Sequence, residues 1–304
     1  MSQWTTSDMP SQQGRSAVIT GTGGLGLEDA LALARTGGEI IIAGRNPQKG
    51  AEALARVRSE VPSANVRFEQ VDLACLQSIA DFAARLKAQR GSLDLLINNA
   101  AVMTPPDRQA TTDGFELQFG TNYLGHFALT AHLLPLLRKG TNPRVVTLSS
   151  VAARAGAIDF DDLHSMRDYQ PMRAYGQSKL ACLLFAFELQ RRSEANQWGV
   201  SSIAAHPGVS RTDLLHNAPG RWSAAGMMRT FMWFLFQPAA QGALPTLFAA
   251  TSPEAKAGAY YGPDKMMEVR GHPTLAKVPP QAEDKTAAER LWRVSEELTR
   301  VAFH

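Results

Sequence analysis

Two cysteines in 304 residues, Cys75 and Cys182, are too few for a disulfide framework. Each sits inside an apolar, helical-looking segment without metal-ligand spacing. Buried free thiols in a reducing compartment are therefore expected, with no metal site and a cytoplasmic location. Runs of like charge are also missing: the net charge is +3, with basic residues scattered singly. That excludes nucleic acid as a partner, because a phosphate-binding surface needs clustered Lys and Arg. No apolar run is long enough to cross a bilayer. The greasiest stretch, 227–236 (MMRTFMWFLF), includes Arg229 and is about half the ~20 residues of a membrane helix. It can touch a membrane surface but not span one. The first residues, MSQWTTSDMPSQQGR, lack the apolar core of a signal peptide, and residues 1–14 are expected to form a flexible tail. No internal repeat or linker divides the rest, so 15–304 is expected to be a single domain. Its 44% hydrophobic and 19% charged residues fit a globular chain.

What the chain has is alternation. Short β-branched runs at 16–20 (SAVIT), 39–43 (EIIIA), 66–71, 93–97, 144–148 (RVVTL) and 200–205 are separated by segments of helical spacing. Strands that alternate with helices of about ten to fifteen residues predict right-handed βαβ units and a parallel sheet. Between the first strand and the first helix lies the turn GTGGLG. Gly21 allows the tight turn, Gly24 the approach of backbone to a pyrophosphate, and Gly26 the close packing of helix on strand. The helix N-terminus would aim its free N–H groups at the phosphates. The second strand ends in Gly44-Arg45, where an acid would grip the two ribose hydroxyls of NAD. An Arg there favours the 2′-phosphate of NADP.

Ligands of such a sheet bind at the carboxyl ends of its strands. Gly21, Arg45, Asp72, Asn99, Ser149-Ser150 and His206-Pro207-Gly208 all fall at predicted strand ends. Asn122 lies inside a predicted long helix, 115–138, where its amide competes with backbone hydrogen bonding. Tyr175 and Lys179, in YGQSK, are four residues apart and share one helix face. A phenol titrates near ~10, and a cation held beside it favours the phenolate, which suits the pair to acid–base work. Later segments are predicted as a substrate lid at about 209–237, a helix at 239–250, a short strand at 259–261 and a C-terminal helix at 284–300.

Taken in order, GTGGLG, Asp72, NNAA, Asn122, Ser150, YGQSK and HPG resemble the short-chain dehydrogenase/reductase (SDR) superfamily. FGTNYLGHFALT and the ending LWRVSEELT resemble its retinol dehydrogenase-like branch. The resemblance implies an α/β Rossmann fold, a doubly wound seven-stranded parallel sheet with helices on both faces. It implies Tyr175 as proton donor or acceptor and Lys179 as its activator and a ribose ligand. Ser150 would bind the substrate oxygen, and Asn122 would hold a water linking Lys179 to solvent. The implied cofactor contacts begin with Gly21, Thr22, Gly24, Leu25 and Gly26 at the turn and Arg45 after the second strand. Asp72 and Leu73 fall near the adenine, Asn99 and Ala100 at the ribose, and Pro207, Gly208 and Thr212 near the nicotinamide. Two departures stand out: only Thr22 and Gly23 separate the first two glycines where the family has three residues, and NNAG is NNAA.

The expected activity is that of an NADP(H)-dependent alcohol dehydrogenase or carbonyl reductase, with NAD(H) as the poorer fit. The aromatic residues of the lid point to a bulky lipophilic or aromatic ketone or aldehyde and its alcohol. Two other classes remain open: a dinucleotide-binding regulatory protein without turnover, and a membrane-surface dehydrogenase of lipid-borne substrates. Superfamily members often pair through the helices that contain Asn122 and Tyr175, and the long segment before Tyr175 obstructs that face. A monomer or homodimer is expected.

Overall fold

The computed structural model describes residues 3–210 and 237–304. The expected lid at about 209–237, and Thr212 with it, lies outside the described residues except for Val209, Ser210 and Gln237. Seven parallel strands follow the predicted alternation: β1 (Ser16–Thr20), β2 (Glu39–Gly44), β3 (Val66–Gln70), β4 (Leu95–Asn98), β5 (Arg144–Leu148), β6 (Ser201–Ala205) and β7 (Tyr260–Lys265). An eighth, β8 (Arg270–Leu275), runs antiparallel to β7 at the edge, and the sheet order is β3-β2-β1-β4-β5-β6-β7-β8. Sequence spacing misses β8 because Gly271 and Pro273 read as strand breakers. In the sheet Pro273 stands opposite Pro263, on an edge strand where a missing N–H is tolerated.

The α-helices among the described residues are α1 (Gly24–Arg35), α2 (Pro47–Glu60), α3 (Leu76–Gln89), α4 (Gly125–Leu137), α5 (Pro171–Ala195), α6 (Ala239–Thr251) and α7 (Lys285–Thr299). Side chains alternate across the strands and divide the core into two layers. Val18, Ile41, Leu96 and Val145 face α3, α4, α5 and α7. Ile19, Ile42, Ile97 and Val146 face α1, α2 and α6. The starts of α2 and α7 follow capping chemistry: the Asn46 side chain accepts from the N–H groups of Gln48 and Lys49, and Asp284 accepts from Ala287.

Two predicted features change. The long helix containing Asn122 does not keep α geometry throughout: a π-helical turn at Phe119–Leu124 runs directly into α4, with helical backbone on both sides. The expected flexible tail is docked from Trp4 onward. The Trp4 indole packs edge-on against Phe248 of α6 at 5.3 Å, its carbonyl accepts from His272 Nδ1 at 3.1 Å, and Met9 is buried. A large apolar ring amid polar neighbours gains more by burial than a polar tail does by staying free.

Candidate active site

At the carboxyl end of the sheet lies a cavity of about 730 Å³. One end is formed by the β1–α1 turn. Gly21 has φ +103° and Gly24 φ +53°, left-handed backbone that glycine adopts without strain. The Asn99 amide is wedged beneath this turn and donates to Thr20 O at 2.6 Å. A Cβ on Gly26 would stand 2.6 Å from that amide nitrogen, so the third glycine is a packing requirement. Helix α1 begins with Gly23 at its N-cap and no side-chain cap. Its first-turn N–H groups are left without the partner that Asn46 provides for α2.

The opposite end gathers Ser150, Tyr175 and Lys179. Ser150 follows β5 and caps a short 3-10 turn, Val151–Ala155, accepting from the Ala152 N–H at 3.2 Å. Because this bond uses the Ser150 oxygen as acceptor, the hydroxyl hydrogen stays free to donate. Tyr175 and Lys179 project from successive turns of α5, with the ammonium 5.9 Å from the phenol ring centroid. Lys179 Nζ donates to Leu148 O at 3.1 Å, and Ser149 Oγ donates to Lys179 O at 2.8 Å. Ser150, Tyr175 and Lys179 all line the cavity, as do Gly21, Thr22, Gly24, Leu25, Asn99, Ala100, Pro207 and Gly208. Among the described residues the Tyr175 hydroxyl has no hydrogen-bond partner, although the residue is 7% exposed.

Other expected residues stand apart from the cavity wall. Asn122 lies in the π-turn, and its groups are committed within the protein. Its Oδ1 accepts from Val102 N–H at 2.7 Å, and its Nδ2 donates to Val102 O at 2.9 Å and Ser178 Oγ at 3.0 Å. The Asn122 carbonyl accepts from His126 Nδ1 at 2.8 Å and from the Cys182 thiol at 3.2 Å. These bonds make Asn122 a brace that ties the π-turn to Val102 and to Ser178 of α5. Asp72 Oδ1 accepts from Ala74 N–H at 2.9 Å, closing its own turn. Leu73 is buried, with its carbonyl against Gly125, where a Cβ would come within 2.4 Å. Arg45 is exposed at the end of β2. Among the described residues no group of three or more His, Cys, Asp or Glu side chains is placed to hold a metal.

A family model described as short chain dehydrogenase matches residues 15–221. The chain is a short-chain dehydrogenase/reductase. Retinol dehydrogenase 13 of Mus musculus is 40% identical to it over 300 residues, 95% of this chain and 85% of the relative. Polyprenol dehydrogenase of Mus musculus is 39% identical over 298 residues, 96% of this chain and 85% of the relative. A crystal structure of an uncharacterized protein from Mycobacterium paratuberculosis superposes with a TM-score of 0.83 at 38% identity, each chain covered over 100% of its length. These relatives place the SDR in the retinol dehydrogenase-like branch, an oxidoreductase family that uses nicotinamide dinucleotides.

Sequence reading overlooked several lining residues of this SDR. Lys49 reaches the cavity from the first turn of α2. The signal was available in Arg45-Asn46-Pro47, a helix start that places Lys49 one turn beyond the end of β2. Met103, Val151 and Met172 form an apolar side together with Val209, the first residue of the expected lid. They come from four separate loops and helix ends, and no local pattern unites them.

Proposed function

We propose that this SDR is an NADP(H)-dependent oxidoreductase that interconverts a bulky lipophilic alcohol with its aldehyde or ketone. The observation that carries the reading is the shared cavity, with Ser150, Tyr175 and Lys179 at one end and the uncapped α1 N-terminus at the other.

That N-terminus fits a dinucleotide. Free N–H groups and the positive end of α1 suit a pyrophosphate, and glycines at 21, 23 and 24 keep side chains out of its way. Arg45 and Lys49 would meet a 2′-phosphate, with Glu52 on the same wall as the opposing charge. The absence of an acid directly after β2 leaves the ribose hydroxyls of NAD without their usual acceptor. When bound, the nicotinamide takes up or delivers the hydride. The protein supplies the proton chemistry. In alcohol oxidation the Tyr175 oxygen would take the hydroxyl proton, and in carbonyl reduction it would give one to the oxygen. Ser150 would donate its free hydrogen to that same oxygen as negative charge grows there. Lys179 places its ammonium beside the phenol ring. The apolar side of Met103, Val151, Met172 and Val209 would hold the hydrocarbon part of the substrate and exclude water.

The test is a fluorescence titration with NADPH and NADH, followed by turnover of retinol, a polyprenol and ethanol. Tighter binding of NADPH with turnover of the lipophilic alcohols and not ethanol is expected. Binding of neither cofactor would overturn the reading, and turnover of ethanol alone would overturn the substrate class.

A further inference from the structure

A cluster of titratable side chains behind the cavity joins two of its walls. His206 follows β6 and is fully buried. Its Nδ1 accepts from the Gly208 N–H at 3.2 Å, so the ring hydrogen sits on Nε2, which lies 2.9 Å from Glu268 Oε2 and donates to it. The same carboxylate oxygen accepts from Arg154 Nη2 at 2.6 Å, while Oε1 accepts from the Lys277 N–H at 2.9 Å. Arg154 belongs to the 3-10 turn that Ser150 caps, and its Nη1 donates to Met267 O at 3.2 Å.

Glu268 lies in the link between β7 and β8, in backbone that L residues rarely adopt. Met266, Met267 and Glu268 have φ of 52°, 53° and 67° in succession. Such a run persists where surrounding contacts over-determine it. Here the link is pressed onto the loop after β6. Val269 O accepts from the Val209 N–H at 2.9 Å. A Cβ on Gly208 would stand 2.2 Å from that same carbonyl oxygen.

We propose that Glu268 is a positioning residue for the oxidoreductase reaction, holding the Pro207-to-Ser210 wall through His206 and the Ser150 turn through Arg154. Three donors converge on one carboxylate, and only a carboxylate has acceptors for all of them. Glutamine is the same size but would turn an N–H toward one of the donors, so it is not a conservative replacement at this position. The consequence is catalytic because Ser150 and the facing loop must stand at a fixed separation for substrate and donor to meet. Small misplacements in such sites cost rate steeply. Because this inference rests on the proposed active site, its test separates the two.

The experiment compares kcat, alcohol KM and NADPH Kd in the full chain for Glu268→Gln, Arg154→Met, Arg154→Lys and the Glu268→Gln/Arg154→Met double variant. Glu268→Gln is expected to lower kcat about 10-fold or more, with KM and Kd within about 3-fold of wild type. Arg154→Met should lower kcat several-fold, Arg154→Lys should restore most of the loss, and the double variant should be no slower than Glu268→Gln. Multiplying losses, or a Glu268→Gln enzyme with a kcat within about 2-fold of wild type, would overturn the proposal. If Glu268→Gln does not fold, the Arg154 pair carries the test, since that side chain is 38% exposed. Equal kcat in Arg154→Met and wild type would then overturn it. If the wild-type chain turns over nothing, the proposed function fails on its own. The clamp is then read by amide exchange in Glu268→Gln: faster exchange in 151–156 and 207–210 together is expected, and unchanged exchange in either segment overturns it.

Discussion

His126 Nδ1 donates to the Asn122 carbonyl at 2.8 Å, one turn back along the same helix, while its Nε2 lies 2.9 Å from Thr20 Oγ1. Thr20 Oγ1 in turn accepts from the N–H groups of Asn99 and Ala100 at 2.9 and 3.0 Å. A single buried imidazole thus ties the π-turn that carries Asn122 to the strand ends beneath the glycine turn. Both nitrogens have complementary partners only when the ring is neutral, with hydrogen on Nδ1 and the Thr20 hydroxyl donating to Nε2.

This sets a pH dependence. Burial, against a smaller opposing effect of the Asn122 carbonyl, pulls the His126 pKa down to about 4. In the unfolded chain His titrates near ~6.5. Between those values the unfolded state binds the extra proton, so stability rises with pH through this window and is lost as pH falls through it. The expected loss is roughly 3 kcal/mol from pH 7 to pH 4. Urea melts across that range should be steeper in pH for wild type than for His126→Gln. Parallel curves would show that His126 does not carry the effect.

Asp29 has the opposite sign. It is buried in α1, and both carboxylate oxygens lack a hydrogen-bond partner among the described residues. Burial first, and the nearby Glu28 charge second, hold its pKa well above the usual carboxylate value. The folded state therefore keeps a proton that the unfolded state releases near ~4, and stability falls as pH rises above that point. Asp29→Asn removes this dependence. Its melting temperature should exceed that of wild type at pH 7, by a margin that shrinks toward pH 4; a variant less stable than wild type at pH 7 would contradict this.

The C-terminal helix bears on assembly. Trp292 of α7 packs against Phe127 of α4 at 5.1 Å and Phe185 of α5 at 5.8 Å, and Phe303 lies 5.0 Å from Phe127. The parts of α4 and α5 that carry Phe127 and Phe185 are thereby covered by the chain's own C-terminal segment. Sedimentation should find a monomer. Trp292→Ala should cost about 3–5 kcal/mol in stability and leave an apolar surface that self-associates. A wild-type dimer that Trp292→Ala leaves intact would overturn this account.

Tyr175→Phe removes a hydroxyl that has no partner among the described residues, so the fold loses little. The expected result is unchanged NADPH affinity and melting temperature, with kcat lowered by about 10²-fold or more. Activity within a few-fold of wild type would remove Tyr175 as the proton-transfer group.

These residues differ in how far local sequence reveals them. Seven parallel strands, the glycine turn and the Tyr175–Lys179 pair are legible because each rests on a short-range pattern: apolar β-branched runs for most of the strands, closely spaced glycines for the turn, and a spacing of four along a helix for the pair. Edge strand β8 is not, since its glycine and proline oppose the local signal and only pairing with β7 makes it a strand. The π-turn at Asn122 is hidden for a similar reason. Its sequence suits a helix, and the extra residue is absorbed where the Asn122 amide bonds to Val102. His126, Lys49 and Glu268 are single polar residues whose partners lie far away in the chain. Their roles appear only when the sheet brings those partners together.

Cofactor choice follows from one such case. Arg45 is exposed beyond β2, whereas Lys49 lines the cavity four residues later. If both meet a 2′-phosphate, each contributes a charge-assisted contact that NADH cannot make. Lys49→Ala and Arg45→Ala should each weaken NADPH binding by about 1.5–3 kcal/mol while NADH binding stays nearly constant. Lys49→Glu should go further and invert the preference, because it sets a second acid beside Glu52 against a phosphate dianion and offers an acceptor to ribose hydroxyls. Paired titrations with NADPH and NADH at two ionic strengths decide the point, since the NADPH loss must shrink as salt screens the wild-type contacts. Equal losses for both cofactors would mean that neither side chain meets the 2′-phosphate.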